Sequence, residues 1–267
     1  MKSVAIVSQK GGVGKTTLSL NLAFALAKMG IRVALIDADP QGAVGHSLQG
    51  VKASSGLYGL IWAGDPLDQC LLTTRLPELS IMPVGDVPPH ESPAFHQRLE
   101  DGTSFANLLT ALSSRFDLVM IDTPSGFNGA TLGALRACDS AVTPLQAEPV
   151  ALRTLPQLLS VIGALRDQGA RVQLSAIVLC MLQQRNNDSL SVAEEVWSRM
   201  PAELVLEATI PRDLSVLAAS SAGVPVGLLS PRRPPPVSLV FDRLASELSP
   251  RLGLATDGED GPLGLFA

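Results

Sequence analysis

Aromatic residues and cysteines are both scarce in this 267-residue chain. Aromatics make up only 4% of the residues, so a folded core must consist mainly of leucine, valine, isoleucine and alanine side chains. The three cysteines, Cys70, Cys138 and Cys180, lie far apart and form no C-x-x-C pair, which argues against a zinc site or a local redox motif. We therefore expect buried free thiols in a protein of a reducing compartment.

The chain also lacks long apolar runs and an excess of positive charge. No stretch of about 18 apolar residues occurs and nothing resembles a signal peptide, so we expect a cytoplasmic protein without a membrane span. The formal net charge is −5, which argues against a protein that coats nucleic acid through bulk charge. Apolar residues at 46% and charged residues at 17% are ordinary for a globular protein.

Strand and helix patterns alternate along the chain. Residues 3–8 and 32–37 are short, apolar segments typical of buried strands, and residues 16–29 between them place apolar side chains on one helical face. Further strands are predicted over 79–83, 116–122, 140–145, 174–181 and 204–210. Further helices are predicted over 103–114, 129–137, 150–168, 188–199, 213–222 and 237–248. This alternation predicts a doubly wound α/β fold, with a mostly parallel sheet and helices on both faces.

Several segments fall outside that pattern. Residues 43–70 and 84–102 are rich in Gly, Pro and Ser and are predicted to be surface segments, and 230–236 (SPRRPPP) is predicted to be a stiff, extended connector. We expect one domain over residues 1–252, followed by a Gly- and acid-rich, disordered tail over 253–267. The last residues of the tail, PLGLFA, are apolar, so docking on a partner is the alternative to a plain disordered terminus.

The stretch VSQKGGVGKTTLSL, residues 7–20, has the features of a phosphate-binding loop between a predicted strand and a predicted helix. In such a loop, glycines let the backbone N–H groups point at phosphate oxygens, a lysine meets the β and γ phosphates, and a hydroxyl holds magnesium. These roles fall on Gly11, Gly12 and Gly14, then on Lys15 and Thr16, with Val13 inside the loop and Thr17 able to reach the α-phosphate. The motif therefore predicts a site for ATP and Mg²⁺.

Position 9 of this loop is glutamine where the ordinary motif has glycine, and a second lysine, Lys10, follows it. The sequence KGGVGKTT resembles the deviant Walker loop of the ParA/MinD family of dimeric P-loop ATPases. The resemblance implies that Lys10 crosses a dimer interface to the nucleotide held by the partner subunit. A cation added beside a triphosphate in a partly dried site is strongly stabilising. The alternative is a solvated loop lysine that contacts nothing.

Three aspartates lie at the ends of predicted strands or just after them. LIDADPQG, 35–42, contains Asp37 and Asp39, and LVMIDTPSG, 118–126, contains Asp122. Such strand ends face the ligand crevice of doubly wound sheets, and Asp122 is placed to bind magnesium through a water molecule. The resemblance to ParA-like proteins implies that Asp39 orients the attacking water and that Asp37 lies beside the magnesium. The alternative for either residue alone is a turn position before proline. The TPSG sequence resembles a switch loop that rearranges when the γ-phosphate leaves.

The SQKGGVGKTT and DADPQG motifs resemble the ParA branch of the family more than the MinD branch. VLCMLQQRNN, 178–187, and ATIPRDLSVLAASSAGVPV, 208–226, resemble the adenine-side strand of that branch and its I-P-R loop. The resemblance implies that Met181, Pro211 and Asp213 line the base. The likeness is strong only at the two phosphate-side motifs.

Arginines are the candidates for DNA contacts, since DNA binding by ParA-like dimers uses arginines spread over a composite surface. Arg185 and Arg212 match that pattern, and Arg232, Arg233 and Arg251 could add to it. Each phosphate contact would contribute to a salt-dependent, sequence-independent affinity. The alternative is that these arginines are simply solvated, and one arginine that family members commonly have after the I-P-R loop is a serine here.

Membrane attachment is the competing idea, because MinD-like proteins end in a basic amphipathic helix. Residues 237–252 have an apolar stripe, but they mix Asp242 and Glu247 with Arg243, and Pro250 interrupts the end. We therefore predict a helix that packs on the domain, and no membrane partner.

Together the motifs predict an ATP-dependent, dimerising partition or positioning ATPase that segregates DNA or positions a large cargo, with slow turnover that a partner accelerates. Its expected partners are a second copy of itself, non-specific DNA and an unknown stimulating protein or cargo adaptor, with nucleoid association in the ATP state. The alternative is a nucleotide-switch scaffold or MinD-like regulator whose output is partner binding. Iron–sulfur reductases built on the same loop need paired cysteines, and Cys138 has no suitably placed partner. A small-molecule kinase is also conceivable, but the sequence offers no acceptor site.

Overall fold

The structure, a computed structural model, describes residues 1–46, 48, 54–148, 151–183 and 185–254. Its strands are β1 Lys2–Ile6, β2 Val33–Asp37, β3 Leu72–Thr73, β4 Leu79–Met82, β5 Leu118–Asp122, β6 Ser140–Gln146, β7 Gln173–Leu182 and β8 Ile210–Pro211. Its helices are α1 Lys15–Lys28, α2 Ala43–His46, α3 Gly56–Tyr58, α4 Leu67–Cys70, α5 Ser92–Leu99, α6 Thr103–Leu112, α7 Gly129–Ala137, α8 Ala151–Asp167, α9 Asn187–Arg199, α10 Leu214–Ala222 and α11 Ser238–Arg251. A π-helical turn, Gly59–Ala63, follows α3, and a 3₁₀ turn, Val226–Leu228, follows α10.

The strands form one eight-stranded sheet in the order β3-β4-β2-β5-β1-β6-β7-β8. β3 and β4 pair antiparallel, and the other neighbouring strands pair parallel. Parallel neighbours require crossover connections, which the helices between the strands provide. The arrangement confirms the predicted doubly wound, mostly parallel α/β fold.

Helices cover both faces of the sheet, so its central strands are buried on each side. β2 and β5 contain no exposed residue, which explains why their sequences are continuous apolar runs. One face packs against α1, α10 and α11 through side chains that include Leu22, Leu26 and Phe241. The opposite face packs against α5 to α9, with Phe95 and Phe105 among the largest fully buried side chains.

The carboxyl ends of three central strands meet at one edge of the sheet. The strand register places Asp122 of β5 opposite Asp37 of β2 on one side and Ile6 of β1 on the other. Residues 7–14 leave β1 at this edge and lead into α1. Two carboxylates and the phosphate-binding loop are therefore brought together by strand register alone.

Two predictions for individual segments were wrong, and one helix was not predicted. Residues 204–210 are not a continuous strand, because the N–H groups of Glu207 and Ala208 donate to the Glu247 carboxylate instead of to a neighbouring strand. Residues 230–236 contain a turn, closed by the Arg233 N–H on the Ser230 carbonyl at 3.0 Å, instead of an extended connector. The surface segment 84–102 contains the helix α5.

The C-terminal helix α11 packs on the domain, as predicted. Phe241, Leu244 and Leu248 are buried against α1, and Lys28 of α1 pairs with Asp242 at 2.8 Å. Pro250 lies inside the last turn and does not end the helix there. No helix in the described part of the chain is both long and apolar enough to cross a bilayer. Most of the tail predicted over 253–267 lies outside the described residues, which end at Leu254.

Candidate functional site

The loop between β1 and α1 has the backbone of a phosphate cradle. Gly12 and Gly14 have φ of 73° and 94°, a left-handed conformation that side-chain-bearing residues rarely adopt. Gly14 is the residue before α1, and the first turn of that helix holds neither an acidic residue nor a side-chain cap. The N–H groups and the partial positive charge of this helix end are therefore left for an anion.

Lys15 is at the start of α1, with only 7% of the residue exposed. Its ammonium donates to the Ser125 hydroxyl at 2.7 Å, which ties the loop to the segment after β5. Burial lowers the pKa of Lys15, while the negative charges of Asp122 and Asp39 act to raise it. Among the described residues the Ser125 hydroxyl, a neutral group, is the one hydrogen-bond partner of this buried cation, so Lys15 is well suited to bind a phosphate group.

Asp122 is fully buried and accepts hydrogen bonds from two hydroxyl groups of α1. Thr16 Oγ1 donates to one carboxylate oxygen at 2.8 Å, and Ser19 Oγ is 2.7 Å from the other. Burial raises the pKa of Asp122 to about 6, although these two hydroxyls and the charge of Lys15 act to lower it. Ser19 was missed in the sequence, although it lies three residues after Thr16 on the same face of the helix.

Asp37 is also buried, and it orders the loop after β2. Its two carboxylate oxygens accept from the N–H groups of Asp39 at 3.1 Å and Val44 at 3.0 Å. Burial and the neighbouring charge of Asp122 raise the pKa of Asp37 well above its ordinary value. Two neighbouring carboxylates repel each other when both are ionised, and a cation bound between the loop and the strand ends would relieve that repulsion.

The oxygen groups at this edge fit magnesium. Mg²⁺ prefers oxygen ligands and is usually held by one or two protein groups together with phosphates and water. Thr16 and Asp122 offer a hydroxyl and a carboxylate in contact with each other, beside the place where the phosphates bind. Within the described ranges, no three His, Cys, Asp or Glu side chains converge into a metal cage of their own.

Asp39 is half-buried and lies at the mouth of the site. Its carboxylate accepts from the Gln41 N–H at 2.9 Å, which closes a local turn before the chain continues. Its charge acts on Lys15 and Asp122 and also on His96 of α5, a residue that the sequence analysis did not single out. His96 has a buried Nδ1 atom without a hydrogen-bond partner among the described residues.

Lys10 extends toward the end of β6. Its ammonium lies 3.2 Å from Gln146 Oε1 and 3.2 Å from Glu148 Oε2, and the Gln146 amide in turn donates to Glu148 at 2.6 Å. The Lys10 and Glu148 side chains are 39% and 41% exposed. Lys10 is therefore not the solvated loop lysine without contacts that the sequence left as the alternative.

The loop after β5 is attached to the exit of β1. The Thr123 hydroxyl donates to the Ile6 carbonyl at 2.8 Å, and the Gly126 N–H donates to the Ser8 carbonyl at 3.0 Å. Gly126 has φ of 86°, which permits the sharp turn that presents Ser125 to Lys15. A change at the phosphates can therefore reach this loop through a single hydrogen bond.

A second part of the site is an apolar cavity of about 470 Å³ beside the loop. Its lining includes all three predicted base contacts, Met181, Pro211 and Asp213, together with Val13, Gly14 and Thr17 of the loop. Met181 has φ of 56°, unusual for a residue with a side chain. The Asp213 carboxylate caps α10 by accepting from the Ser215 N–H at 2.6 Å, so its polar group also has a structural use.

The candidate DNA-contacting arginines Arg185, Arg212, Arg232 and Arg233 are all exposed. None of the four forms an ion pair with another residue that the structure describes. Arg251 is different, because its guanidinium donates to the carbonyls of Glu203 at 2.6 Å and Val205 at 3.3 Å. Arg251 therefore attaches α11 to the segment before β8, and its guanidinium is less available for DNA than those of the other four.

The three cysteines are free and buried, as expected. Burial raises the pKa of Cys180 to about 12, and it also raises the pKa values of Cys138 and Cys70. A buried, protonated thiol is unsuited to hold an iron–sulfur cluster across a subunit interface.

Comparison with known proteins agrees with this geometry. A family model described as an AAA domain matches residues 1–176. The chromosome partitioning protein ParA of Caulobacter vibrioides is 35% identical over 231 residues, which cover 85% of this chain and 86% of that protein. The chromosome-partitioning ATPase Soj of Thermus thermophilus is 33% identical over 261 residues, 94% of this chain and 97% of that protein.

Solved structures show the same fold. The ATP complex of the D38A variant of Cyanothece McdA has a TM-score of 0.77 at 20% identity and covers 96% of this chain and 98% of that one. The Mg-ADP complex of MinD from Pyrococcus horikoshii has a TM-score of 0.70 at 22% identity, with 92% and 95% covered. The phosphate loop, its second lysine and the two partitioning relatives lead to one conclusion: the chain belongs to the ParA-like branch of the ParA/MinD family of P-loop ATPases.

Proposed function

We propose that this ATPase dimerises when it binds ATP and then segregates DNA or positions a large cargo by binding DNA without sequence preference. Residues 1–252 would act as one domain, because a single sheet runs through it and α11 packs back on α1. Hydrolysis would return the protein to a state with low DNA affinity. The protein would work in the cytoplasm, on the nucleoid in its ATP state, with an unidentified adaptor that accelerates turnover.

The observation that carries this proposal is the position of Lys10. Its ammonium is half-exposed at the end of β6, held by Glu148 and Gln146. An ion pair between side chains this exposed contributes at most about 1 kcal/mol, so it can be exchanged at little cost. A triphosphate brought by a second copy is a far stronger partner for that ammonium than one carboxylate. Dimerisation and nucleotide state are thereby linked through one side chain.

Each residue of the phosphate loop and of the strand ends then has its own role in the reaction. Lys15, now bonded to the Ser125 hydroxyl, would bind the β and γ phosphates, and the adjacent Thr16 and Asp122 would hold the metal. Magnesium, when bound, neutralises charge on the phosphate oxygens. Asp37 holds the loop that carries Asp39, and Asp39 orients the attacking water from the mouth of the site. Positioning and charge stabilisation, rather than covalent chemistry, supply the acceleration.

DNA binding is assigned to the four exposed arginines, Arg185, Arg212, Arg232 and Arg233. The net charge of −5 means that this affinity must come from a local surface and not from the whole chain. Arg212 lines the nucleotide cavity, so its position is linked to the occupancy of that cavity. Two copies of the surface in one dimer would double the number of DNA phosphates that the protein can bind.

DNA affinity measured with ADP and with a non-hydrolysable ATP analogue, over a salt series, tests the proposal. We expect binding only with the ATP analogue, and we expect log affinity to fall linearly with log salt. Replacing Arg232 with glutamine should lower that slope by about 0.9 for each DNA phosphate that the arginine neutralises. The matched control is Arg243→Gln on α11, an exposed arginine outside the candidate set. Binding that is equal with ADP, or absent with both nucleotides, would contradict the proposal.

The second candidate function is a nucleotide switch that binds a protein instead of DNA. It is favoured by Leu214 and Leu217 of α10, which are 83% and 66% exposed at the rim of the nucleotide cavity. Exposed apolar side chains of this kind are common at protein interfaces. Replacing Asp39 with alanine separates the two functions, since a switch keeps its function with ATP permanently bound and a cycling positioner does not.

A further inference from the structure

An open groove lies on the face of the sheet opposite α11. It consists of two cavities of about 450 and 300 Å³ whose linings share Ile61 and Arg98. The π-helical turn forms one wall, and the outer sides of α5 and α6 form the other. Trp62 lies at one end of the groove and Ala111, in the last turn of α6, at the other. The two cavities adjoin along the outer sides of α5 and α6, so together they offer room for an extended peptide.

Trp62 is held in place although 43% of it is exposed. Its ring stacks on Tyr58, with centroids 5.9 Å apart and the planes 16° apart. Tyr58 in turn meets the Phe95 ring edge-on at 5.3 Å, and its hydroxyl donates to Glu91. A tryptophan ordered in advance loses little conformational entropy on binding, and tryptophan is the residue that most often dominates binding energy at interfaces.

The helix α3, which leads directly into the turn that carries Trp62, is attached to the segment that follows β4. The N–H groups of Leu57 and Tyr58 donate to the carbonyls of Pro83 and Val84, both at 2.8 Å. A side chain at Gly56 would collide with the Pro83 carbonyl, so glycine is required for this close approach. The π-helical wall of the groove therefore starts from an anchored helix.

Arg98 supplies the only charge among the residues that line either cavity in the described part of the chain. It is exposed and makes no hydrogen bond or ion pair with another described residue. Gln97, Ser104 and Asn107 are the neutral polar groups around it. A ligand that fits this groove therefore carries apolar side chains and a carboxylate.

The C-terminal segment of this chain has that chemistry. Residues 255–267 read ATDGEDGPLGLFA, with three acidic side chains followed by three large apolar ones. The acidic residues are Asp257, Glu259 and Asp260, and the apolar residues are Leu263, Leu265 and Phe266. If the segment runs from the Ala111 end of the groove toward Trp62, its acidic residues reach Arg98 before its apolar residues reach Trp62. The order of charges and apolar side chains therefore matches the groove.

The described chain ends at Leu254, beside the sheet edge at which α6 also ends. Gly253 lies beside Lys2, since an added Cβ would be 3.6 Å from its Cε atom. The Lys2 N–H donates to the carbonyl of Asp117, which lies five residues after the end of α6. The end of α11 and the end of α6 are therefore near the same edge of the sheet. Residues 255–263 can span about 30 Å, whereas the whole of α6 is only about 15 Å long.

We propose that residues 255–267 bind the groove of their own chain, with the acidic residues at Arg98 and the apolar residues at Ile61 and Trp62. Binding there presses on α5, whose His96 and Leu99 carbonyls pack directly against Gly129 and Gly133 of α7. α7 begins three residues after Gly126, in the loop that contacts Lys15. Tail binding is therefore connected to the nucleotide site through α5, α7 and this loop. The proposal needs neither DNA binding nor dimerisation.

Fluorescence of Trp62 in the full-length chain tests this contact. The chain has two tryptophans, and a Trp197→Phe background leaves Trp62 as the only one. In that background we expect the double variant Leu265→Ser, Phe266→Ser to shift the emission to longer wavelength and to increase quenching by acrylamide. A tail that does not cover Trp62 would leave both signals unchanged by the substitutions, and that result would overturn the proposal.

The charge contact has its own control. Arg98→Gln should make Trp62 more accessible to acrylamide and should remove the salt dependence of its protection, because salt screens exposed ion pairs. Arg243→Gln, on the opposite face, should change neither quantity. Protection that rises with protein concentration would indicate the tail of a second copy and would overturn binding within one chain. Equal effects of the two arginine substitutions would overturn the assigned contact.

Discussion

Replacing Asp122 with asparagine should stabilise the nucleotide-free protein at pH 8. Asp122 is fully buried, and its pKa is raised from the ordinary 3.8 to about 6, chiefly by burial. Keeping its carboxylate ionised above pH 6 therefore costs about 3 kcal/mol, since each tenfold change in proton affinity is about 1.4 kcal/mol. Asparagine has a similar shape and can still pair with the Thr16 and Ser19 hydroxyls, so the substitution removes the charge and little else.

The sign of the pH dependence follows from the raised pKa. Between about pH 4 and pH 6 the native chain binds more protons than the unfolded chain, so this stabilising contribution is complete below pH 4 and is lost as pH rises through 6. The variant should thus unfold at up to about 6–12 °C higher temperature at pH 8, and the difference should shrink on acidification toward pH 4. Asp37 adds to the effect, because the charge of Asp122 also raises its pKa.

Thermal unfolding followed by circular dichroism, without nucleotide and at several pH values, measures this difference. Asp117→Asn is the control of opposite sign, because Arg32 lowers the pKa of this exposed carboxyl and its contribution is lost on acidification. Addition of ATP analogue and magnesium should reverse the order and favour the wild-type chain. If the Asp122 variant is no more stable at pH 8, or if its advantage persists at pH 4, the assignment of a buried carboxylate with a raised pKa is wrong.

Two further predictions concern packing. Gly133→Ala on α7 places a methyl group against the Leu99 carbonyl, so we expect the free energy of unfolding to fall by about 1–3 kcal/mol. Gly163→Ala on α8, where nothing lies within 4 Å, should raise it by about 1 kcal/mol. Urea unfolding of both variants measures the contrast, and equal effects would contradict the contact. Leu244→Ala on α11 removes a fully buried side chain and should cost about 2–5 kcal/mol in the same assay, with a loss under about 1 kcal/mol arguing against the packing role of this helix.

Much of the fold and of the phosphate site could be predicted from the sequence, because both depend on local patterns. Buried parallel strands read as apolar runs, and the loop glycines precede Lys15 and Thr16 in one continuous stretch. α5 was missed because its segment contains three prolines, although Pro93 lies in its first turn, where proline favours a helix start. The strand predicted at 204–210 failed because a distant side chain, Glu247, bonds its backbone.

The contacts that complete the site are long-range, and sequence spacing does not reveal them. Lys10 and Glu148 are 138 residues apart and meet only because β6 lies next to β1. Ser125 was part of a predicted switch loop, but its bond to Lys15 depends on the turn at Gly126. Ser19 is the exception, since its position one helical turn after Thr16 gave a usable signal. Local chemistry could therefore be predicted, and the contacts between distant segments could not.

A mixture of two inactive variants tests the central claim, that Lys10 serves the nucleotide of another copy. Lys10→Gln keeps its own nucleotide site but cannot serve a partner, and Lys15→Gln loses its site but keeps Lys10. We predict that neither chain alone forms ATP-dependent dimers in sedimentation velocity, whereas the mixture does, because one composite site is then intact. Lys28→Gln, an exposed lysine paired with Asp242, is the control and should dimerise alone. If Lys10→Gln alone still dimerises with ATP, or if the mixture stays monomeric, Lys10 does not act across the interface.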